Sequence, residues 1–294
     1  METREFIVGA RQQREWGWLI ILDFFAAGTG AGSFFIALIL GFLPGMVLGG
    51  GLVLLGGLIL IADLTRRQPA WRVFARPQSS WVSRGAIGIS CLAVLAFIHI
   101  VYLAIQPNSR ASLGAPWVTG PTWMIVLGIV SGVAALFVAA YPGFLLGSMR
   151  SIPFWKGAYT PALFLVSSLL SGLGIIYLFP SGWMALPWSL DFLQSFGIGL
   201  VVLGLFMLLS LFLVAHPDTT TGESVRLITH GSFRFHFLIG VLGVGLIVPL
   251  IILSLVSVGA GTVSLLPLAG VLLLCGLFLL RYIIVRGGIH VSPV

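Results

Sequence analysis

Eight long apolar stretches, separated by short polar or glycine- and proline-rich breaks, make up most of the chain. They run roughly over 16–41, 43–63, 85–106, 121–148, 157–179, 190–215, 234–258 and 262–286. About 20 consecutive apolar residues suffice to cross the hydrocarbon core of a bilayer as a helix. Hydrocarbon offers backbone N–H and C=O groups no partners, so a helix, which pairs them internally, is the structure such runs must adopt. The alternation of a membrane barrel is absent. Only Leu43-Pro44-Gly45 separates the first two stretches, which predicts a tight helical hairpin there. Arg4, Arg11 and Arg14 precede the first run as basic residues precede a signal peptide. The run is too long for one and flows into a second helix, so it is read as the first span. The pattern predicts an all-α polytopic membrane protein, a single integral membrane domain over 1–294 with eight transmembrane helices, a number that can divide into two four-helix halves although no clear internal repeat marks them.

Composition sharpens this. Of 294 residues, 59% are hydrophobic and 8% are charged, against about 25% charged in a soluble domain. Too few charges exist to build a water-facing surface, which excludes a soluble domain, a disordered chain and a disulfide-stapled secreted module. Cys91 and Cys275 lie in separate apolar runs with no CxxC or CxxH spacing, so a zinc or iron–sulfur site fails on ligand count. The net charge of +7 is scattered between apolar runs, which is how membrane topology is encoded and not how nucleic acid is bound.

Fourteen of the fifteen basic residues fall on one side of the predicted topology. They are Arg4, Arg11, Arg14, Arg66, Arg67, Arg72, Arg76, Arg84, Arg150, Lys156, Arg226, Arg234, Arg281 and Arg286; Arg110 stands alone opposite. The positive-inside rule then places both termini in the cytoplasm of a prokaryotic cell, with the protein in its cytoplasmic membrane. A basic face of this kind also suits a docked subunit. The loop 64–84 alternates arginines with Trp71, Phe74 and Trp81. It fits a segment lying in the headgroup layer, and serves either as a plain anchor or as a docking and site-forming element. On the far side, 107–120 and 180–190 carry Trp117, Trp183 and Trp188 with almost no charge, as an aromatic belt does.

Ionisable groups inside hydrocarbon are costly, and each is a site hypothesis. Asp23 lies roughly 10 Å into the first span at about 1.5 Å per residue. It either exchanges protons or is satisfied by a neighbouring helix. Tyr141, beside the helix-kinking Pro142, lies at a similar depth in the fourth span, far from the interface where tyrosine usually meets water. Pro142 frees a carbonyl that needs another partner. Asp63 ends the second span, and an ion pair with Arg66, Arg67 or Arg84 explains it more simply than chemistry does. His99 is the lone histidine near the middle of a span, whereas di-haem anchors need two axial pairs; a hydrogen-bonded core role suits it. Ser167 and Ser171 share a face of the fifth span with Ser168 nearby, and helix-to-helix hydrogen bonding accounts for them. Gly28-Thr29-Gly30-Ala31-Gly32 has the look of a dinucleotide fingerprint but no preceding strand; Gly28/Gly32 and Gly143/Gly147 are close-packing pairs. A carboxyl, a phenol and apolar walls near one membrane face suit an apolar ligand with two oxygen ends that exchanges protons on reduction, as a quinone does.

In this order and spacing the residues resemble a known family. The first span carries Ala26-Ala27-Gly28-Thr29-Gly30-Ala31-Gly32. The second ends Asp63-Leu64-x-Arg66, followed late by Pro69, then Trp71, Phe74, Pro77, Ser80, Ser83 and Gly85. The fourth holds Tyr141-Pro142-Gly143-Phe144-Leu145-Leu146, followed by Ile152-Pro153-Phe154-Trp155. The fifth opens Pro161-Ala162-Leu163-Phe164, and the eighth ends Leu280-Arg281-Tyr282 with Gly287 beyond. Over nearly its whole length the chain resembles the polysulfide reductase membrane subunit, or NrfD-like, family of complex iron–sulfur molybdoenzymes and related quinone-linked complexes.

The resemblance implies two four-helix bundles, no haem or metal in this chain, and a quinone (menaquinone or ubiquinone) site near the face that docks an iron–sulfur subunit. It carries the quinone contacts to Asp23 and Tyr141. The expected role is the quinone-reactive subunit, non-catalytic alone, of a respiratory oxidoreductase with an iron–sulfur partner and a molybdopterin-type or other catalytic subunit. Asp23 would transfer protons, Tyr141 would bind a quinone oxygen, and Asp63, Arg66, Arg72, Arg84 and Ser167 would support the site or dock the partner. Two rivals remain at this stage: a proton-coupled transporter built on Asp23, and a passive anchor with no quinone chemistry.

Overall fold

The computed structural model describes residues 11–13, 16–63, 74, 77–105, 121–149, 151–180, 189–214 and 220–290. Among them, eight helices are long and apolar enough to cross a membrane. In chain order the helices are α1 (Trp18–Leu40), α2 (Leu43–Asp63), α3 (Trp81–Ile105), α4 (Thr122–Gly147), α5 (Tyr159–Tyr177), α6 (Ser189–Val214), a short α7 (Thr220–Thr229), α8 (His236–Ser257) and α9 (Leu266–Arg286). All but α7 span.

Helices α1 to α4 form one four-helix group, α2 packing on α1, α3 on α2, and α4 on both α3 and α1. Helices α5, α6, α8 and α9 form the other. The groups meet chiefly where α5 packs on α1 and α4. Most of α1 and α5 is therefore buried, while in the other six spans most residues are at least partly exposed on the outside of the bundle. Side chains without bulk make the α1–α5 contact possible. A Cβ on Gly32 would collide with the Ser168 backbone, and one on Gly172 with the backbone of Gly32 and Ser33. Apolar burial gives helices no drive to associate in lipid, so close backbone approach through small residues replaces it.

The α1–α2 hairpin turns two residues earlier than the sequence suggests. Gly41 takes a left-handed conformation (φ 64°), and the amides of Gly41 and Phe42 donate to Leu38 O and Ala37 O. Such a C-cap satisfies the last carbonyls of α1, so Leu43, Pro44 and Gly45 already form the first turn of α2, where a proline costs no hydrogen bond. Helix α3 begins at Trp81, which draws Ser83 and Arg84 into its first turn. Helix α8 has an unusual start: His236–Ile247 is wound as a π-helix before Val248–Ser257 continues as α-helix.

A small layer closes one end of the bundle. Arg11–Gln12 pairs antiparallel with Ile289–His290, Gln13 N–H donates to Gly288 O at 2.9 Å, and Gln12 Nε2 donates to Arg286 O at 3.1 Å. The two ends of the described residues thus share one side. Trp155 lies fully buried in this layer, its Nε1 donating to Ile284 O at 2.9 Å and its ring 5.6 Å from that of Trp16. One basic residue leaves the layer to which its sequence position assigned it. Arg281 lies more than a turn inside the end of α9 and is fully buried between helices. Arg286, at the end of α9, is partly exposed. Arg281 therefore carries no topological information, and the charge asymmetry rests on the remaining basic residues.

Candidate functional site

Asp23 sits in the second turn of α1 and is 1% exposed. Neither carboxyl oxygen has a hydrogen-bond partner among the described residues. Tyr141 comes from the antiparallel α4, near its end, and therefore at the same membrane level. It is fully buried, and its hydroxyl likewise has no partner among the described residues. Its ring lies flat on Gly85 of α3, where a Cβ would overlap Cε2 and Cζ. Asp23 lies close enough to Tyr141, and Asp63 close enough to Asp23, for their charges to interact. The structure thus brings together the two residues that the sequence singled out, with Asp63 at the rim.

The rim toward the basic layer is aromatic. Trp81 stacks on Phe144 at 4.9 Å, and the Arg84 guanidinium lies over Trp81 at 4.5 Å. Arg84 donates from Nε to Pro77 O at 2.7 Å and from Nη2 to Gln78 O at 2.8 Å. Its recorded bonds thus go to backbone carbonyls, not to Asp63. They fix the start of α3 directly beside Gly85. Arg66 and Arg72 lie outside the described residues. On the apolar side, Phe24 meets Phe164 edge to face at 6.0 Å.

The serines divide differently from expectation. Ser167 donates to Phe164 O at 3.0 Å within its own helix. Ser168 and Ser171 make the interhelical bonds. Ser168 Oγ donates to Ala139 O of α4 at 3.0 Å, and Thr29 Oγ1 of α1 donates to Ser171 Oγ at 2.9 Å. Arg281 joins this cluster from α9. Its Nη2 donates to Ser168 Oγ at 3.0 Å, and its guanidinium lies 5.3 Å from the Phe25 ring centre. Sequence reasoning missed it because an arginine near a helix end looks interfacial. The available signal was Arg286, which already marks that end more than a turn later.

His99 sits elsewhere, 14 residues beyond Gly85 on α3, or roughly 21 Å along the helix. Its Nδ1 donates to Leu95 O at 3.0 Å, and Phe34 meets its ring edge-on. It belongs to the far half of the bundle. Among the described residues, no group of three or more His, Cys, Asp or Glu side chains could hold a metal.

An unpaired polar group in an apolar interior costs about 1–3 kcal/mol, more in hydrocarbon than at a wet surface. Here a carboxyl and a phenol stand together with that cost unmet. Their free capacity fits a ligand carrying a carbonyl or hydroxyl oxygen on an apolar body, and so fits a quinone. The phenol can donate, and the carboxyl can accept when ionised or donate when protonated.

The chain is 28% identical to "Protein NrfD" of Escherichia coli (strain K12) over 93% of its length and 94% of that protein's. It is 27% identical to one of the chains of the polysulfide reductase of Wolinella succinogenes, again covering 93% and 94%. Over 61% of its length it is 28% identical to one of the subunits of the selenate reductase of Mesobacillus selenatarsenatis, covering 43% of that protein. The family model described as "Polysulphide reductase, NrfD" matches residues 8–293. The chain therefore belongs to the polysulphide reductase NrfD family.

Proposed function

We propose that this protein is the membrane subunit of a reductase complex and exchanges protons and electrons with a quinone held between α1, α3 and α4. One observation carries the reading: Asp23 and Tyr141, both buried at the same level, leave their polar atoms without partners among the described residues. The names of two relatives, one from a polysulfide reductase and one from a selenate reductase, support membership of such a complex.

A bound quinone supplies two-electron, two-proton chemistry. The protein's own residues would do the following. The Tyr141 hydroxyl donates a hydrogen bond to a ring oxygen, and Gly85 sets the plane of its ring. The Asp23 carboxyl takes up or gives a proton at its Oδ atoms, with Asp63 placed toward the basic face as the next group outward. Phe24, Phe164 and the small residues of α1 give the ring an apolar seat. Electrons arrive from, or leave to, an iron–sulfur subunit that docks, together with a catalytic subunit, on the arginine-rich face, with Arg66, Arg72 and Arg84 as its anchors. That face is cytoplasmic.

The test is quinone-linked turnover of the assembled complex carrying Asp23→Asn or Tyr141→Phe. A positioned proton-transfer group contributes about 10²- to 10⁴-fold, so Asp23→Asn is expected to lose at least about 100-fold. Loss of one hydrogen bond to the bound ring predicts roughly tenfold weaker quinone binding for Tyr141→Phe. Both variants at wild-type turnover, with the partners still bound, would leave the protein a passive anchor.

A further inference from the structure

The proposed site makes no use of Arg281, the residue whose burial is hardest to explain. A guanidinium carries five N–H donors and a full positive charge. Here Nη2 meets Ser168 Oγ at 3.0 Å and Ser171 Oγ at 3.5 Å, Nη1 meets Leu277 O at 3.4 Å, and Nε meets nothing among the described residues. Among those residues no carboxylate pairs with it, and the Asp23 oxygens stay unpartnered as well. Buried charges are ordinarily retained only when paired and fully hydrogen-bonded. As a clamp between α1, α5 and α9 the guanidinium would be poor value, because the neutral Thr29–Ser171 bond already joins α1 to α5. The feature a neutral residue could not reproduce is its field.

Three contacts tie the guanidinium to the two helices that bear Asp23 and Tyr141. The guanidinium lies against Gly28 of α1, where a Cβ would stand 3.1 Å from Nη2, five residues along that helix from Asp23. The Phe25 ring it covers is two residues from Asp23. Ser168, which accepts from Arg281, donates its own hydrogen bond to the carbonyl of Ala139, two residues before Tyr141. That carbonyl neighbours Val138, whose own helical donor is missing because Pro142 has no N–H. Hydrogen bonds in such a chain polarise one another.

We propose that Arg281 is a positioning residue that supplies a fixed positive field to the quinone site, so that the site favours a ring whose oxygen bears negative charge over a neutral ring of the same shape. The inference rests on the quinone reading above. Reduction places electrons on the ring before protons arrive, and a cation that needs no rearrangement favours that charge at no further cost.

Two small naphthoquinones separate charge from shape. The 2-hydroxy-1,4-naphthoquinone is ionised at neutral pH; the 2-methyl compound is neutral and nearly the same size. Binding of each is measured by competition with quinol oxidation and by direct titration of the purified complex in nanodiscs. Two unit charges roughly 10 Å apart in a protein interior correspond to about tenfold in affinity. Arg281→Met is therefore expected to weaken the anion about tenfold more than the neutral ring. Arg281→Lys should keep the wild-type ratio. Ser168→Ala should weaken both ligands alike, because it loosens α4 and leaves the charge. Equal factors for both ligands in Arg281→Met, or no change, would overturn the field. If the Met variant does not assemble, the visible absorbance of the hydroxy compound bound to wild type decides. An ionised ligand that persists to lower pH than in empty nanodiscs supports the proposal, and a protonated one at neutral pH overturns it. Failure of either ligand to bind wild type at the site would remove the quinone reading, and the inference with it.

Discussion

Replacing Gly85 by alanine sets two physical effects against each other at one atom. On propensity alone, Gly→Ala in a helix interior stabilises by about 1 kcal/mol. The Tyr141 ring occupies the space the new methyl needs, overlapping it at Cε2 and Cζ. A fully buried ring cannot tip aside freely, and overpacking of this kind costs about 1–3 kcal/mol. The net expectation is a destabilisation of up to about 2 kcal/mol, with the phenol displaced from Asp23. Gly51 of α2 provides the control. It is exposed on the bundle surface, and a Cβ there would meet nothing within 4 Å, so Gly51→Ala should be neutral or mildly stabilising. The assay pairs thermal unfolding of the detergent-solubilised protein with quinone affinity of the assembled complex. Gly85→Ala should melt below Gly51→Ala and match the roughly tenfold affinity loss of Tyr141→Phe. If the two alanine variants melt together and bind quinone alike, the ring does not rest on Gly85 and the geometry of the site is wrong.

Three further outcomes follow from the packing. Gly32→Ala would drive a methyl into the Ser168 backbone, which has no far end to move, so loss of folded protein in gel filtration is expected; a wild-type profile would contradict the α1–α5 contact. Trp155→Phe removes the bond from Nε1 to Ile284 O and leaves that carbonyl unpaired in a buried layer, for a loss of about 1–2 kcal/mol read by thermal unfolding. Because residues 11–12 pair with 289–290, reporters fused at the two ends are expected to show the same sidedness, and the positive-inside rule predicts a cytoplasmic signal at both; a C-terminal reporter active only in the periplasm would reverse the proposed docking face.

The features legible in the sequence share a physical character. Spans were found to within a few residues because hydrocarbon enforces an uninterrupted apolar run, whatever the tertiary contacts. Asp23 and Tyr141 could be singled out because each is the wrong residue for its depth, and depth is readable from distance along a helix. The α1–α2 turn was misplaced by two residues because proline and glycine mark turns but are equally at home in a first helical turn. The π-helical start of α8 left no trace, since it depends on which carbonyl an amide chooses and the residues at both registers are apolar.

Arg281 shows where such reasoning stops. Near a helix end, a long basic side chain can snorkel to the headgroups or turn inward, and the sequence is the same in both cases. The choice is made by neighbours more than a hundred residues away: Ser168 and Ser171 on α5 offer oxygens, and Gly28 on α1 leaves room for the guanidinium. The same glycine-rich stretch that lets α1 and α5 approach therefore also admits a charge between them. Close packing and burial of a cation are normally opposed demands, because each competes for space that side chains could fill. A run of α1 with almost no side chains meets both at once, which gives the motif a chemical consequence beyond helix packing. Lengthening Gly28 alone tests that link: its new Cβ would stand 3.1 Å from Arg281 Nη2 as well as 2.6 Å from Ser168 Oγ, so Gly28→Ala should move the guanidinium and shift the naphthoquinone ratio, which loss of Ser168 Oγ alone does not, while sparing the α1–α5 seam at Gly32.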